Sequence, residues 1–312
     1  MDTTGTTITL SIDEAPADPV KIRTVGRFSG IPLVLGQAHL IAAIGDAHGM
    51  WRAFMALLVL AQNRGASDLV TLGDGIDRGP GSLRILDRLC RLDDALPEMR
   101  RHHMMGNHEH MLMNAVFHPD PDAREVAYSV WYNNGGAAVI AEAFDRSAGK
   151  SRLTLGDIFT GEHLSFMRSM RMSCTIGNAL FVHAGIPAGL RCQAHELDAK
   201  LNVPLLINLR ELEEDRHPLW VRSSFLNRRT EPLTVVQSNG NFRSTGGHLG
   251  HFVFHGHTPS SRVSLERDIV KNRLNLDGGS YRSGWVRMAL ISHDTIEVVE
   301  ASSQADLADR GG

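Results

Sequence analysis

The sequence predicts an α/β fold, with a parallel sheet whose strands are joined by crossover helices. Three observations predict it. Short apolar runs alternate with stretches of helical spacing between residues 39 and 106. Those apolar runs close on glycines, as buried strands do where they meet a turn. Beyond residue 250 the chain breaks into further short, strand-like runs.

The elements follow in order. Residues 1–38 form an N-terminal extension, expected to be partly disordered, with room for one extra strand; its first part is polar and rich in Asp, Pro and Ala. HLIAAIG (39–45) is the first buried strand, and MWRAFMALLVLAQNRG (50–65) a helix that stops at a glycine. DLVTLG (68–73) is the second strand. PGSLRILDRLCRL (80–92) is a helix with proline near its start, and MRRHHMMG (99–106) the third strand. Residues 110–170 read as mostly helical. MSCTIGNALFVHAG (172–185) is a hairpin turning at Gly177-Asn178. Residues 187–248 give mixed signals. FVFHG, RVSLE, NRLNLDGG, VRMALISH and TIEVVEA are expected as short strands. No Pro/Ser-rich linker or internal repeat divides the chain, so a single domain over 39–302 is expected, followed by a flexible tail at 303–312.

Of the 312 residues 42% are hydrophobic, enough for a sizeable core. The formal charge of -3 argues against a general nucleic-acid binder. Three scattered cysteines without a CxxC argue against a disulfide framework. The N-terminus has no basic segment ahead of an apolar stretch, and no apolar run is long enough to span a membrane. A cytoplasmic protein is expected, and its oligomeric state is left open.

Three apolar runs end alike, in GDAHG (45–49), GDGIDRG (73–79) and GNHE (106–109). Ligands of open α/β sheets bind beyond the C-terminal strand ends. Asp46, His48, Asp74, Asp77, Asn107 and His108 should therefore converge on one rim. Mixed oxygen and imidazole donors suit Mn, Fe or Zn better than calcium. His183 in FVHAG and His257 in FHGHTP follow later strand-like runs and nearly complete the donor set for two metal ions.

GDAHG, GDGIDRG, GNHE, VHAG and GHTP, in this order, resemble the calcineurin-like metallophosphoesterases, and among them the bacterial and phage form of the phosphoprotein phosphatase branch. The resemblance implies a four-layer α/β/β/α sandwich of two mixed sheets. It implies two divalent ions, manganese first with iron or zinc as alternatives. Asp46 and His48 would bind one ion, Asn107, His183 and His257 the other, and Asp74 would bridge. His108 would protonate the leaving alkoxide, with Asp77 orienting its ring, while a hydroxide held between the ions attacks phosphorus. Arg78 and Asn107 would hold phosphate oxygens. LWVRSSFL (219–226) resembles the Leu-Trp-x-Arg segment, which makes Arg222 a second phosphate-binding arginine. Glu109 is expected to be structural, and WYNNGG (131–136) a turn or groove element.

The expected substrate is a phosphoprotein or small phosphoester: phosphoserine, phosphothreonine or phosphotyrosine. The alternative is a dinucleoside polyphosphate such as diadenosine tetraphosphate, for which RHPLWVR (216–222) and FLNRRT (225–230) could supply a cationic trough. A catalytically silent scaffold is the third reading, disfavoured because no ligand position is lost. Departures from the pattern fall on substrate shape: Gly75, Ser223, Ser224, Gly278 and Tyr281. His102 and His103 are read as packing or surface residues. A period of two would put His255 and His257 on one strand face.

Overall fold

The computed structural model describes residues 6–8, 19–35, 39–92, 96–147, 150–238 and 241–309. In chain order its first elements are β1 (Thr6–Ile8), β2 (Val20–Ser29), β3 (Ile41–Ile44), α1 (Trp51–Asn63), β4 (Asp68–Thr71), α2 (Ser82–Cys90) and β5 (Arg100–His103). Then come α3 (Asn107–Phe117), further helices up to Ser169, and the hairpin β6 (Ser173–Ile176) and β7 (Ala179–Val182). A separate hairpin, β8 (Thr234–Ser238) and β9 (Asn241–Thr245), precedes β10 (Phe252–His255), β11 (Arg273–Asn275), β12 (Trp285–Ile291) and β13 (Thr295–Ser303).

Two mixed sheets form. The larger runs β1-β2-β13-β12-β3-β4-β5, the smaller β11-β10-β7-β6. β3, β4 and β5 are mutually parallel, joined by α1 and α2 as the strand–helix alternation predicts. Side-chain alternation explains the layering. In β3, Ala42 and Ile44 face α1, while Ile41 and Ala43 face the second sheet. Phe181 and Phe254 fill the space between the sheets and stack with centroids 5.0 Å apart. Leu180, Val182 and Val253 point the other way, onto Leu197, Leu201 and Phe225 of short outer helices. The result is the α/β/β/α sandwich of two mixed sheets. Each buried phenylalanine contributes roughly 2–3 kcal/mol of apolar burial.

The extra strand before residue 39 exists. β2 pairs along the whole of β13, with an irregularity between Val298 and Val299. RVSLE is not a strand: Arg262–Ser264 is a 3₁₀ turn and Leu265–Val270 a helix. Leu265 and Ile269, four apart, face the core, while Val263 stays exposed, so the period is helical. The topology requires this, because β10 and β11 are parallel and need a crossover.

Beyond Ser303, in the stretch assigned to a tail, Gln304–Ala308 form a helical turn. Its Asp306 accepts from the backbone amides of Arg52 (3.3 Å) and Ala53 (3.0 Å), the first turn of α1. Met50, at the N-cap, offers no side-chain cap, so the cap comes from the other end of the chain. Asp306→Ala should lower stability by ~1–2 kcal/mol, read as an earlier midpoint in urea unfolding at unchanged slope. No helix among the described residues is long and apolar enough to cross a membrane.

Candidate metal centre

The C-terminal ends of β3, β4 and β5 and those of β7 and β10 open onto the same edge of the sandwich. Each ends in a sharp turn. Seven non-glycine residues have positive φ among those described, and five of them are His48, Asp74, Asp77, Arg78 and His257. Such backbone costs of order 1–2 kcal/mol per residue. It persists because the turns are tied together: His48 N donates to Asp74 O (2.9 Å) and Arg78 N to Gly135 O (3.0 Å). Glycine is required where two turns touch. A Cβ at Gly256 would collide with the Asp46 carboxylate, and one at Gly73 with the backbone of Gly106.

Asp74 sits at the centre, and four imidazoles surround it. His183 Nε2 is 3.5 Å from its carboxylate, His48 Nε2 3.7 Å and His108 Nε2 3.9 Å. His257 is reached through Asn107, whose Oδ1 lies 2.8 Å from His257 Nδ1 and 2.9 Å from His183 Nε2. Two groups of potential ligand atoms lie within 4.8 Å of one another: His48, Asp74 and His108, and Asp74, His183 and His257. Asp74 belongs to both.

The rings are pre-oriented by backbone carbonyls. His48 Nδ1 lies 3.0 Å from Ile76 O, His183 Nδ1 2.8 Å from Leu72 O, and His257 Nε2 3.2 Å from Trp220 O. A carbonyl can only accept, so each contacting nitrogen carries the proton. The opposite nitrogen of each ring is left with a lone pair turned into the site. Burial, then the neighbouring His108, holds His48 well below its usual value; burial, then His183 and Arg222, does the same for His257. Burial also lowers His183. Burial works against the Asp74 charge, but the four imidazoles outweigh it and hold the carboxyl far below the usual range. Asp46 is pushed well up by burial, then by Asp277 and Asp74, and its buried Oδ1 has no hydrogen-bond partner. Neutral imidazoles, crowded carboxylates and an orphaned oxygen fit divalent cations.

His108 differs from the other three. Its Nδ1 lies 2.6 Å from Asp77 Oδ2. Burial lowers its pKa, but Asp74 and Asp77 outweigh this and raise it. Asp77 is itself fixed by Trp131 Nε1 (2.9 Å), and its amide donates to Ser82 Oγ (2.9 Å). The imidazole whose pKa is raised is thus the one that leans on a carboxylate rather than a carbonyl.

Glu109 is a clamp. It accepts from the amides of Asp74 (2.9 Å), Gly75 (2.9 Å), Ile76 (3.3 Å) and Gly106 (3.1 Å), fixing the turn that carries Asp74. Burial, then Asp74, pushes it up to about 7. WYNNGG forms a π-helical turn at Tyr132–Gly136 whose Asn134 and Gly135 carbonyls hold Arg78, so it is a wall of the site.

Arg78 reaches His48 Nε2 (2.8 Å) and lies over the Tyr281 ring, 4.3 Å from its centroid. Arg222 stands on the opposite side and donates to Thr258 Oγ1 (3.1 Å). All ten residues singled out from the sequence surround one edge. The trough suggested by residues 216–230 finds less support: Arg216 pairs with Glu213 (3.0 Å), and Arg228 donates to the carbonyls of Ile186 and Pro187.

Two residues escaped the sequence reading. Asp277, buried among Asp46, Asp74, Arg78 and Arg287, is pushed up to about 6, chiefly by burial. LNLDGGSYRSG (274–284) extends the family likeness toward the C-terminus, but that likeness gave Asp277 no role. Trp131 opens the WYNNGG segment, expected as a turn or groove element, but it lies far in sequence from Asp77 and nothing local ties the two. His255 packs its ring on Phe225 (5.1 Å). His257 lies past the end of β10 with φ 68°, so strand alternation does not relate the two. His102 pairs with Asp68 (3.1 Å) and His103 lies 2.9 Å from Thr71 Oγ1, both within the sheet.

Among known families, the calcineurin-like phosphoesterase family matches residues 39–276. No curated protein matches the chain. Similar solved structures include a cold-active protein-tyrosine phosphatase of a psychrophilic Shewanella species, 14% identical over 92% of this chain and 95% of that one, TM-score 0.47. A protein serine/threonine phosphatase from Saccharomyces cerevisiae is 14% identical over 84% and 80%, TM-score 0.47. A metallophosphoesterase from Sphaerobacter thermophilus is 15% identical over 87% and 92%, TM-score 0.40. At that distance these likenesses carry no argument about substrate.

Proposed function

The chain belongs to the calcineurin-like phosphoesterase family and is a hydrolase of phosphoric esters; within that activity we propose a phosphomonoesterase of phosphoserine and phosphothreonine, akin to the bacterial and phage protein phosphatases. One observation carries this reading: of the four imidazoles around Asp74, His108 is the one that leans on a carboxylate, Asp77 at 2.6 Å, while the other three lean on backbone carbonyls, and its pKa is raised where theirs are lowered. A serine or threonine alkoxide is a poor leaving group and needs a proton, worth roughly 10²–10⁴-fold in rate. A departing nucleotide phosphate is stable as an anion and needs it far less.

Asp46 and His48 would hold one divalent ion and Asn107, His183 and His257 a second, with Asp74 shared. When bound, the ions, manganese first with iron or zinc as alternatives, neutralise charge on the ester and acidify a water. Arg78, Arg222 and the Asn107 amide orient the phosphoryl oxygens. His108 gives its Nε2 proton to the leaving oxygen, and Asp77 keeps the opposite N–H in place and the ring charged.

The His108 pKa is raised, so the acid form is complete at low pH and is lost as pH rises through the folded value. Asp77→Asn removes a charge that holds it up. The alkaline limb of the kcat profile should therefore move to lower pH, by about one unit. An unmoved limb would mean another group titrates there.

The deciding experiment is phosphate release by the manganese-loaded protein, with Asp74→Asn as blank, from phosphoserine and phosphotyrosine peptides and from diadenosine tetraphosphate. Fastest turnover of the phosphoserine peptide supports the proposal. Fastest turnover of the dinucleotide makes the chain a dinucleoside polyphosphate hydrolase. Bound metal with no turnover makes it a silent scaffold.

A further inference from the structure

A second charged cluster lies beside the metal centre, behind the loop that follows β11. Arg23, Arg262 and Arg287 converge on one carboxylate, Glu300. Arg23 donates to Oε2 at 3.0 Å, Arg262 to Oε2 at 2.9 Å and Arg287 to Oε1 at 3.0 Å. Three guanidinium groups meet one carboxylate, and with Asp277 beside Arg287 the cluster still carries an excess of positive charge.

The cluster borders an open cleft of about 320 Å³ whose lining includes Ser260, Ser261, Arg262, Ser283, Trp285 and Arg287. The arginines are not equivalent. Arg287 is fully buried and spends its donors on Glu300, Ser260 and the Asn275 carbonyl. Arg23 lies flat on the Trp285 ring, 3.3 Å from its centroid. Arg262 has a half-exposed side chain and binds Glu300 through Nε, and its two terminal nitrogens make no hydrogen bond among the described residues. A planar cationic fork, flanked by hydroxyls and backed by a fixed excess of charge, matches the oxygens of a phosphate-class anion.

One loop borders both this cleft and the metal centre, so the two are neighbours. Gly278 lines the cleft. Asp277, the preceding residue, interacts with Asp74 and Arg78 on one side and with Arg287 on the other.

We propose that the Arg262 cleft is an oxyanion subsite that holds a second phosphate of a substrate whose scissile phosphate lies at the metal centre. The substrate part rests on the phosphatase reading; the anion site does not.

Two measurements separate them. First, the metal-free protein is titrated with inorganic pyrophosphate by calorimetry, comparing wild type with Arg262→Gln. Glu300 keeps Arg23 and Arg287 in this variant, so the fold should hold; if it does not, Arg262→Lys, which keeps the charge and loses the planar fork, makes the comparison. Binding about tenfold weaker in the variant is expected. Equal affinity would overturn the site. Second, the manganese-loaded proteins are compared on a singly phosphorylated peptide and on doubly phosphorylated peptides of several spacings. For Arg262→Gln the KM of a doubly phosphorylated peptide should rise about tenfold at unchanged kcat, with the singly phosphorylated peptide unaffected. Weakened pyrophosphate binding without that KM effect would make the cleft a site for free phosphate and overturn its role in substrate binding. If no peptide is turned over, the functional reading fails, while the titration still decides the subsite.

Discussion

Asp74→Asn is expected to abolish turnover while leaving the fold intact. The replacement is nearly isosteric. Asp74 Oδ1 accepts the backbone amide of His108 at 3.0 Å, a bond an asparagine carbonyl can also accept. What is lost is the one negative charge common to both potential ligand groups. Its removal leaves His48 on one side and His183 and His257 on the other without a shared anion. Two-metal sites supply several kcal/mol of transition-state stabilisation, and each 1.36 kcal/mol is tenfold in rate, so a fall of at least about 10³ in kcat/KM is expected. Metal content by elemental analysis should drop with it, and circular dichroism should not change. Retention of two ions per chain with near wild-type turnover would remove Asp74 from the bridging position.

The second large effect is chemical rather than structural. His108→Asn removes the acid and keeps a small polar side chain at the start of α3. His108 directly follows Asn107 in sequence, yet the substitution leaves the ligand candidates Asn107, His183 and His257 unchanged. Metal content should stay at the wild-type level. Turnover of a phosphoserine peptide should fall by roughly 10²–10³, while p-nitrophenyl phosphate, whose leaving group departs without a proton, should lose much less. A plot of log kcat against leaving-group pKa should steepen. A parallel loss across all leaving groups would make His108 a positioning residue instead of the acid.

The parts of this centre legible in the sequence are those where strand, turn and ligand are contiguous. Gly-Asp-Ala-His after β3 and Gly-Asn-His-Glu after β5 each carry an apolar strand, a glycine that permits the turn, and the donor within a few residues. What was illegible depends on contacts at long range. Trp131 becomes part of the site only because the helix Pro121–Trp131 ends with its indole against Asp77. Asp277 becomes part of it because β11 pairs in parallel beside β10. The helix Leu265–Val270 was hidden because Val263 and Leu265 mimic strand alternation, and only burial reveals that Leu265 and Ile269 are the inward pair. β2 was foreseen only as a possibility, since its half-buried residues give a weak apolar signal.

The carboxylate of Asp46 accepts the amide of His257 across 211 residues of chain. Contacts of such separation form late, because the entropy of closing a long loop must be met before they stabilise anything. On the ribosome, GDAHG emerges long before GHTP. A growing chain that has not yet reached GHTP therefore lacks His257 and the amide that holds Asp46, and with them part of the metal site. Competence arrives with completion of the sandwich, so an unfinished copy of this chain is a poor phosphatase by construction.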